Sequence, residues 1–209
     1  MNNLERDYVY NTYNVIGEHF SNTRHYVWPN VKSYIDKIEP GSLIADIGCG
    51  NGKNMYRSDC EQIGLDFCDK FVEICKNKNQ NVILGNCMSI PFKDNSYDYT
   101  LSVAVIHHLS TYDRRLKAIE ELIRITKPGG KIFIQVWGFS CKKSDEQDAM
   151  IEWNLQKKYI DGGKKNIKIN RYYYLFMDNE LKEMIPKDKV KILKYYDSYN
   201  NWIAELIKL

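Results

Sequence analysis

Asp46-Ile47-Gly48-Cys49-Gly50-Asn51-Gly52 closes a short apolar run that begins at Leu43. A strand that ends in alternating glycines presents backbone amides at its carboxyl end, and in open α/β sheets ligands bind at strand carboxyl ends. A Walker phosphate loop would need Gly at 47 and Ser or Thr at 54, where Ile47 and Asn54 stand; the dinucleotide fingerprint would need Gly at 53, which is Lys53. What remains is Asp-x-Gly-x-Gly-x-Gly. Its small residues let the backbone approach a ligand, while Asp46 holds a carboxylate where an ammonium can meet it. Twenty residues on, Asp66 ends the next apolar run, a place from which a carboxylate accepts both hydroxyls of a ribose. A tight turn plus a helix-capping Asp66 would explain each element alone. Both at this spacing, with Asn86 closing a third run, point to an amino-acid head and a ribose, that is, to S-adenosylmethionine.

Outward from the loop, apolar runs predict strands at Leu43 to Ile47, Gln62 to Asp66, Asn81 to Leu84, Tyr97 to Val103 and Lys131 to Trp137, with helical patterns between most of them. Strand and helix in alternation imply a parallel sheet. The clearest helix opens with Ser110 as N-cap and Asp113 three residues on. Leu116, Ile119, Leu122 and Ile123 form its apolar stripe, and Pro128-Gly129-Gly130 stops it. Beyond it the pattern predicts helix over Asp145 to Lys158, extended chain over Arg171 to Phe176 and helix over Asp178 to Ile185. Val190 to Tyr196 and Trp202 to Leu209 then read as a hairpin on the sheet edge, which leaves Asn81 to Leu84 as the other, exposed edge.

Composition bounds the class. With 209 residues, 44% hydrophobic and 27% charged, the chain reads as one soluble globular domain rather than a disordered, collagen-like or disulfide-scaffold protein. No apolar run approaches the roughly 18 residues of a membrane span. The start, Met-Asn-Asn-Leu-Glu-Arg-Asp, lacks a secretory pattern, so the expected location is the cytosol or nucleus. Six cysteines without Cys-x-x-Cys or paired His spacing give no reason to expect a metal. The net charge of +3 is uneven: between Lys157 and Arg171 six basic residues (157, 158, 164, 165, 168 and 171) face Asp161 alone, either as a solvated loop or as a nucleic-acid patch. Gly162-Gly163 marks a turn within this stretch.

The glycine loop, Asp66 and Lys127-Pro128-Gly129-Gly130 before a strand resemble marks of class I S-adenosylmethionine-dependent methyltransferases. The implied fold is a Rossmann-like seven-stranded α/β sheet with helices on both faces and an antiparallel final strand. It would form a single domain over 1–209, with an N-terminal helical extension at 1–40 and a substrate-side insertion at about 138–180. Three further stretches are similar to the eukaryotic tRNA wobble-uridine carboxymethyl methyltransferases: Ser21-Asn22-Thr23-Arg24 with Trp28-Pro29; Val103-Ala104-Val105-Ile106-His107-His108-Leu109 leading to Arg114-Arg115; and Arg171-Tyr172-Tyr173-Tyr174-Leu175-Phe176.

The resemblance implies methylation of the carboxylate of 5-carboxymethyluridine at the tRNA wobble position. It implies two partners, tRNA and a small zinc-binding activator protein that forms a heterodimer, for which the Asn81 to Leu84 edge is the candidate dock. It assigns cofactor contacts to Asp46, Gly48, Cys49, Gly50, Asn51, Gly52, Asp66, Phe67, Asn86, Cys87, Met88 and Val103. Asn86 stands where the pattern usually has Asp, and its carbonyl can still accept from an adenine amino group. A small-molecule carboxyl or quinone methyltransferase sharing only the generic motifs is the alternative, as is a non-catalytic RNA-binding subunit.

A carboxylate is already ionised at pH 7, so its methylation asks for position rather than for a base. The expected groups are an Arg to orient one oxygen and aromatic or hydrogen-bonding residues to fix the base. The candidates are Arg24, His107, His108, Trp137, Arg171 and Tyr172. Of the two histidines, His107 is favoured for the site and His108 for a structural hydrogen bond. Trp137 fits either core or base stacking, and Arg24 and Arg171 fit a carboxylate clamp, a phosphate contact or an ion pair. Arg114 and Arg115 at the start of a helix oppose its dipole, a hint of anionic RNA nearby or merely a solvated turn.

Overall fold

The computed structural model describes residues 2–141, 143–159 and 165–209; Lys164, Asp161 and Gly162-Gly163 of the basic stretch lie outside them. Five parallel strands, β1 (Leu43–Ile47), β2 (Glu61–Asp66), β3 (Val82–Leu84), β4 (Tyr97–Val103) and β5 (Thr126–Trp137), continue into a hairpin of β8 (Val190–Asp197) and β9 (Asn201–Lys208). The order is β3-β2-β1-β4-β5-β9-β8, with β9 antiparallel to β5, so the predicted seven-stranded sheet with a reversed final strand is the one observed. The order changes direction between β1 and β4, and the crevice at such a switch point is where this class of sheet takes ligands.

Apolar stripes decide which helices cover which face. Helices α5 (Tyr112–Ile125) and α6 (Glu180–Met184) bury Ile119, Leu122 and Leu181 against Ala45, Ile47, Ile132, Ile134 and Ala204. On the opposite face α3 (Pro29–Ile35) sets Val31 and Ile35 on Ile44, Tyr99, Leu101 and Phe133. Pro29 occupies the first turn of α3, where a missing amide costs nothing. Helix α4 (Asp69–Asn77) packs Val72 and Cys75 on Cys49, Met55 and Val82 beneath the glycine loop. Ahead of α3, α1 (Asn3–Glu5), a π turn (Arg6–Tyr10) and α2 (Asn11–Thr23) form one helical run. Among the described residues no helix is long and apolar enough to cross a membrane.

Four local expectations need correction. Asp145 to Lys158 is not a helix: β6 (Asp148–Leu155) pairs antiparallel with β7 (Ile167–Tyr174) as a separate two-stranded sheet, and a short 3-10 turn follows at Lys157–Tyr159. The governing period is two, since Ala149, Trp153 and Leu155 are buried while Asp148, Met150, Glu152 and Asn154 are exposed. The N-cap of α5 is Thr111, whose side chain accepts from the Arg114 amide, whereas the Ser110 hydroxyl and amide both donate to Glu5 Oε1 at 2.8 Å. Lys127 to Gly130 does not precede β5 but bulges from its first residues: Thr126 pairs with Tyr97, and pairing resumes at Lys131 with Tyr99.

The fourth correction concerns Arg114 and Arg115, which are engaged within the chain rather than standing on a solvated turn. Arg114 forms an ion pair with Glu5 at 2.5 Å, and Arg115 is buried, donating to the Leu109 carbonyl at 3.0 Å with its guanidinium 3.5 Å from the Tyr174 ring centroid. Burial by itself would raise the Glu5 carboxyl, but the Arg114 and Ser110 bonds outweigh it and hold the group below the usual range. The pair ties the N-terminal helical run to the first turn of α5.

Candidate active site

A two-lobed crevice opens over the carboxyl ends of β1, β2 and β4, with Gly48, Asp66, Phe67, Val105 and His108 shared by both lobes. In the first lobe, Gly85, Asn86, Cys87 and Met88 join Leu65, Glu5 and Val9. The Asn86 carbonyl already accepts from the Met88 amide at 2.9 Å, so the side chain shapes its own turn and keeps one lone pair for a ligand. Asp66 sits at the junction, 4% exposed, accepting from the Gly50 amide at 2.8 Å and from the Cys68 amide at 2.9 Å. Burial outweighs those bonds and lifts its carboxyl to about 6. Gly48 has φ +76°, and a Cβ there would lie 2.3 Å from Val105, so only glycine lets β1 and the chain after β4 close on each other.

Asp46 lies beneath the loop, 1% exposed. Its Oδ2 is 3.4 Å from Asn54 Nδ2, and its Oδ1 has no partner among the described residues. Burial pushes this carboxyl up to about 7, with Asp66 adding repulsion. A buried, under-satisfied carboxylate is costly unless a cation meets it. Two desolvated acids beside a glycine loop, with an apolar lobe alongside, therefore fit a ligand that combines a cationic head, a ribose and an adenine.

The second lobe has the opposite sign. Arg24, Lys53 and Arg171 line it together with Trp28, Trp137, Trp153, Tyr13 and Tyr173. Arg171 is 6% exposed and meets no carboxylate among the described residues. Its guanidinium lies 4.8 Å from the Trp153 ring centroid, and Nε is buried without a partner. Arg24 approaches the same indole, at 5.3 Å, and Lys53 sits 5.0 Å from the Trp28 ring. Trp153 is itself held, donating from Nε1 to His19 Nδ1 at 3.1 Å. Asn51 ties the glycine loop to the end of α2, with Nδ2 3.3 Å from the Arg24 carbonyl.

Hydrogen bonds here run in one direction. A carbonyl only accepts, so His108 Nδ1, 2.8 Å from the Tyr172 oxygen, carries a proton and Nε2 must accept. Tyr13 therefore donates to His108 Nε2 at 3.0 Å, and Tyr173, 3.2 Å from Tyr13, donates to it in turn. Arg171 Nη1 donates to the Tyr173 hydroxyl at 2.6 Å and starts the chain. Burial, aided by the Arg171 charge, depresses His108 to about 3. His107 is likewise driven well below the usual range by burial, then by His108 and Arg171. The Trp137 amide donates to His107 Nδ1 at 3.0 Å, so the ring proton is on Nε2, which has no partner among the described residues. Neither histidine is a base; His107 is a fixed neutral donor at the lobe wall.

Of the predicted residues, Gly48, Cys49, Gly50, Asn51, Asp66, Phe67, Asn86, Cys87, Met88, Val103, Arg24, His107, His108, Trp137 and Arg171 all line the crevice. Three do not. Asp46 is underneath it. Gly52 faces away, since a Cβ there would lie 2.0 Å from Gln80 Oε1. The Tyr172 ring is 1% exposed and its hydroxyl bonds Asp148 on the far face of β7. Adjacent strand residues point to opposite faces, so Arg171 shares its face with Tyr173, whose ring stacks on Trp137 at 4.4 Å. Tyr13, Lys53, Trp153 and Tyr173 were not singled out; Lys53 alone carried a local signal, following the glycine loop directly. The basic stretch also disperses, with Lys168 paired to Glu152 and Arg171 turned inward.

Residues 45–134 match a protein family described as a methyltransferase domain. Over 219 aligned residues the chain is 36% identical to a tRNA (carboxymethyluridine(34)-5-O)-methyltransferase of Schizosaccharomyces pombe, covering 95% of this chain and 96% of that one. It is 39% identical over 160 residues to the Arabidopsis thaliana protein of the same name, covering 76% of this chain but only 39% of that longer relative. Among solved structures, a Haloferax volcanii methyltransferase in complex with the Trm112 methyltransferase activator superposes with a TM-score of 0.70 at 15% identity, covering 96% of this chain and 98% of that one.

Proposed function

The chain belongs to the tRNA (carboxymethyluridine(34)-5-O)-methyltransferase family of S-adenosylmethionine-dependent enzymes, and on that footing we propose that it methylates the carboxylate of 5-carboxymethyluridine at the tRNA wobble position. The observation that carries the proposal is Arg171: a buried guanidinium with no acidic partner and with Nε unbonded among the described residues, lining the same lobe as the glycine loop. Such a cation is costly unless an anion arrives, and an ionised carboxyl tethered to a base is one that fits.

Bound S-adenosylmethionine supplies the electrophilic methyl. Asp46 and Asp66 hold its cationic and ribose ends, and the lobe of Asn86 to Met88 takes the adenine. Arg171 orients one oxygen of the substrate carboxylate, leaving the other free to attack. Its charge is shared with the Tyr173 hydroxyl and the Trp153 face, which softens its grip on the nucleophile. His107 Nε2–H is placed to donate to the base. No proton moves, because the nucleophile is ionised at the start and carboxylate plus sulfonium become a neutral ester and a thioether. A water-poor lobe favours that loss of charge.

Two partners follow from the same reading. For tRNA, Arg24 and Lys53 continue the cationic wall outward, as a polyanion needs. For a small zinc-binding activator, β3 supports docking: it is a sheet edge, with Ile83 38% and Leu84 51% exposed, able to accept a strand. The decisive assay supplies labelled cofactor and tRNA lacking only the final methyl, with and without the activator. Label transferred to tRNA and lost in mild alkali, as an ester requires, is the expected result; no transfer, or alkali-stable label, refutes the proposal.

A further inference from the structure

A second hollow of about 580 Å³ lies against the crevice and shares Trp28 and Trp137 with it. Its wall is amide-rich, with Lys143 as the one charged residue of the lining. Asn30 Nδ2 donates to Gln135 Oε1 at 2.7 Å, and reversing both amides would keep that bond, so in either arrangement the pair leaves three N–H and one C=O unspent. Asn201 is fixed outright. Its Nδ2 donates to the Ser198 carbonyl at 3.1 Å and the Tyr199 carbonyl at 2.9 Å, which leaves Oδ1 as an acceptor, buried and without a partner among the described residues.

The rim adds an aromatic held at a cost. Tyr199 and Asn200 form the two-residue turn between β8 and β9, both left-handed at φ +51° and +60°, with Ser198 and Asn201 exchanging backbone bonds at 2.9 and 3.1 Å. Such a turn prefers Asn or Gly at both positions, and a tyrosine there is strained. That tyrosine is nonetheless 80% exposed, so no packing repays the strain. An exposed ring and unspent amide donors and acceptors are the elements that read a splayed-out base, and Lys143 on the wall can meet the phosphate beside it.

We propose that this hollow is a subsite for the nucleobase next to the modified uridine in the RNA chain. The inference rests on the proposed function: the target base lies across Trp137, so the adjoining nucleotide of a single-stranded loop is the group brought to this side. Tyr199 stacks on the base while the Asn30–Gln135 pair and Asn201 Oδ1 read its edge.

The test uses the chain with its activator and anticodon stem-loops carrying 5-carboxymethyluridine, in which either flanking nucleotide is intact or abasic. Affinity is read by fluorescence anisotropy and turnover separately. The variants are Tyr199→Gly, which suits the left-handed turn and so preserves folding, and Asn30→Ala. For the unsubstituted protein we expect one abasic flank to weaken RNA binding about tenfold, with kcat little changed. In both variants the same substitution should cost less than about threefold, the signature of coupling between base and pocket. An equal abasic penalty in all three proteins, no penalty at either flank, or no RNA binding overturns the subsite. Absence of methyl ester on the intact stem-loop with the binding pattern preserved would refute the proposed reaction and leave the subsite standing.

Discussion

The acidic floor of the crevice and its cationic wall are charged in opposite senses, and each holds its charge at a cost. Below the glycine loop Asp46 and Asp66 are carboxyls lifted to about 7 and 6 by burial. On the wall above, Arg171 is a buried guanidinium that meets no carboxylate among the described residues. The proposed reaction needs both regions, the acids for a cationic cofactor and the guanidinium for an anionic substrate, and the glycine loop lines the same lobe as Arg171. Electrostatic strain that would be a defect in a structural protein becomes binding energy here.

The contrast breaks most visibly at its ends. Asp66→Ala should abolish cofactor binding measurable by calorimetry while tRNA affinity stays within threefold; retained cofactor binding would displace the site. Arg171→Ala should lower kcat/KM for hypomodified tRNA by about 10²- to 10³-fold with cofactor affinity unchanged. Arg171→Lys should not restore it, since an ammonium lacks the planar fork. A smaller effect tests the directional chain: Tyr173→Phe removes the hydroxyl between Arg171 and Tyr13 and should cost about tenfold in kcat, as loss of a bond to a charged group does. Tyr172→Phe should only lower the denaturation midpoint.

The mildest test is pH. Both acids must ionise to meet a cationic ligand, so the protein protonated at low pH has to release protons on binding. Cofactor affinity should therefore be flat above pH 7 and fall as pH drops through 7 and 6, approaching tenfold per unit for each acid. At saturating cofactor, kcat should stay flat from pH 6 to 9, because His108 titrates near 3 and His107 is displaced in the same direction. A kcat step near pH 6.5 would reinstate a histidine base.

The same division governs how much of the molecule its sequence discloses. Glycine loop, ribose acid and strand order are written in contiguous residues or in fixed spacing, and the cofactor lobe was legible down to Asn86 and Met88. The substrate lobe is assembled by packing: Tyr13 comes from α2, Trp153 from β6 and Tyr173 from β7, and no local pattern joins them. Reading Asp145 to Lys158 as a helix hid Trp153 among apparently solvated positions. Tyr172 and Tyr173 are neighbours in the sequence but face opposite ways, since a strand turns every second residue the same way. The hydroxyl chain, set by one carbonyl acceptor, has no trace in the sequence.

The π turn at Arg6–Tyr10 also constrains how this chain can change. It separates Glu5, held to Arg114 and Ser110, from Tyr13, held to His108, so one helical run is anchored at two depths of the crevice. Deleting a single residue from Arg6–Tyr10 would convert the bulge into regular α-helix with both anchors near their present phase, because the wider turn absorbs a residue that a regular helix would pass on as a rotation of about 100°. The wider turn thus lets one helical run reach both anchors with a residue to spare, and this apparent imperfection is where the run can gain or lose a residue without losing either contact.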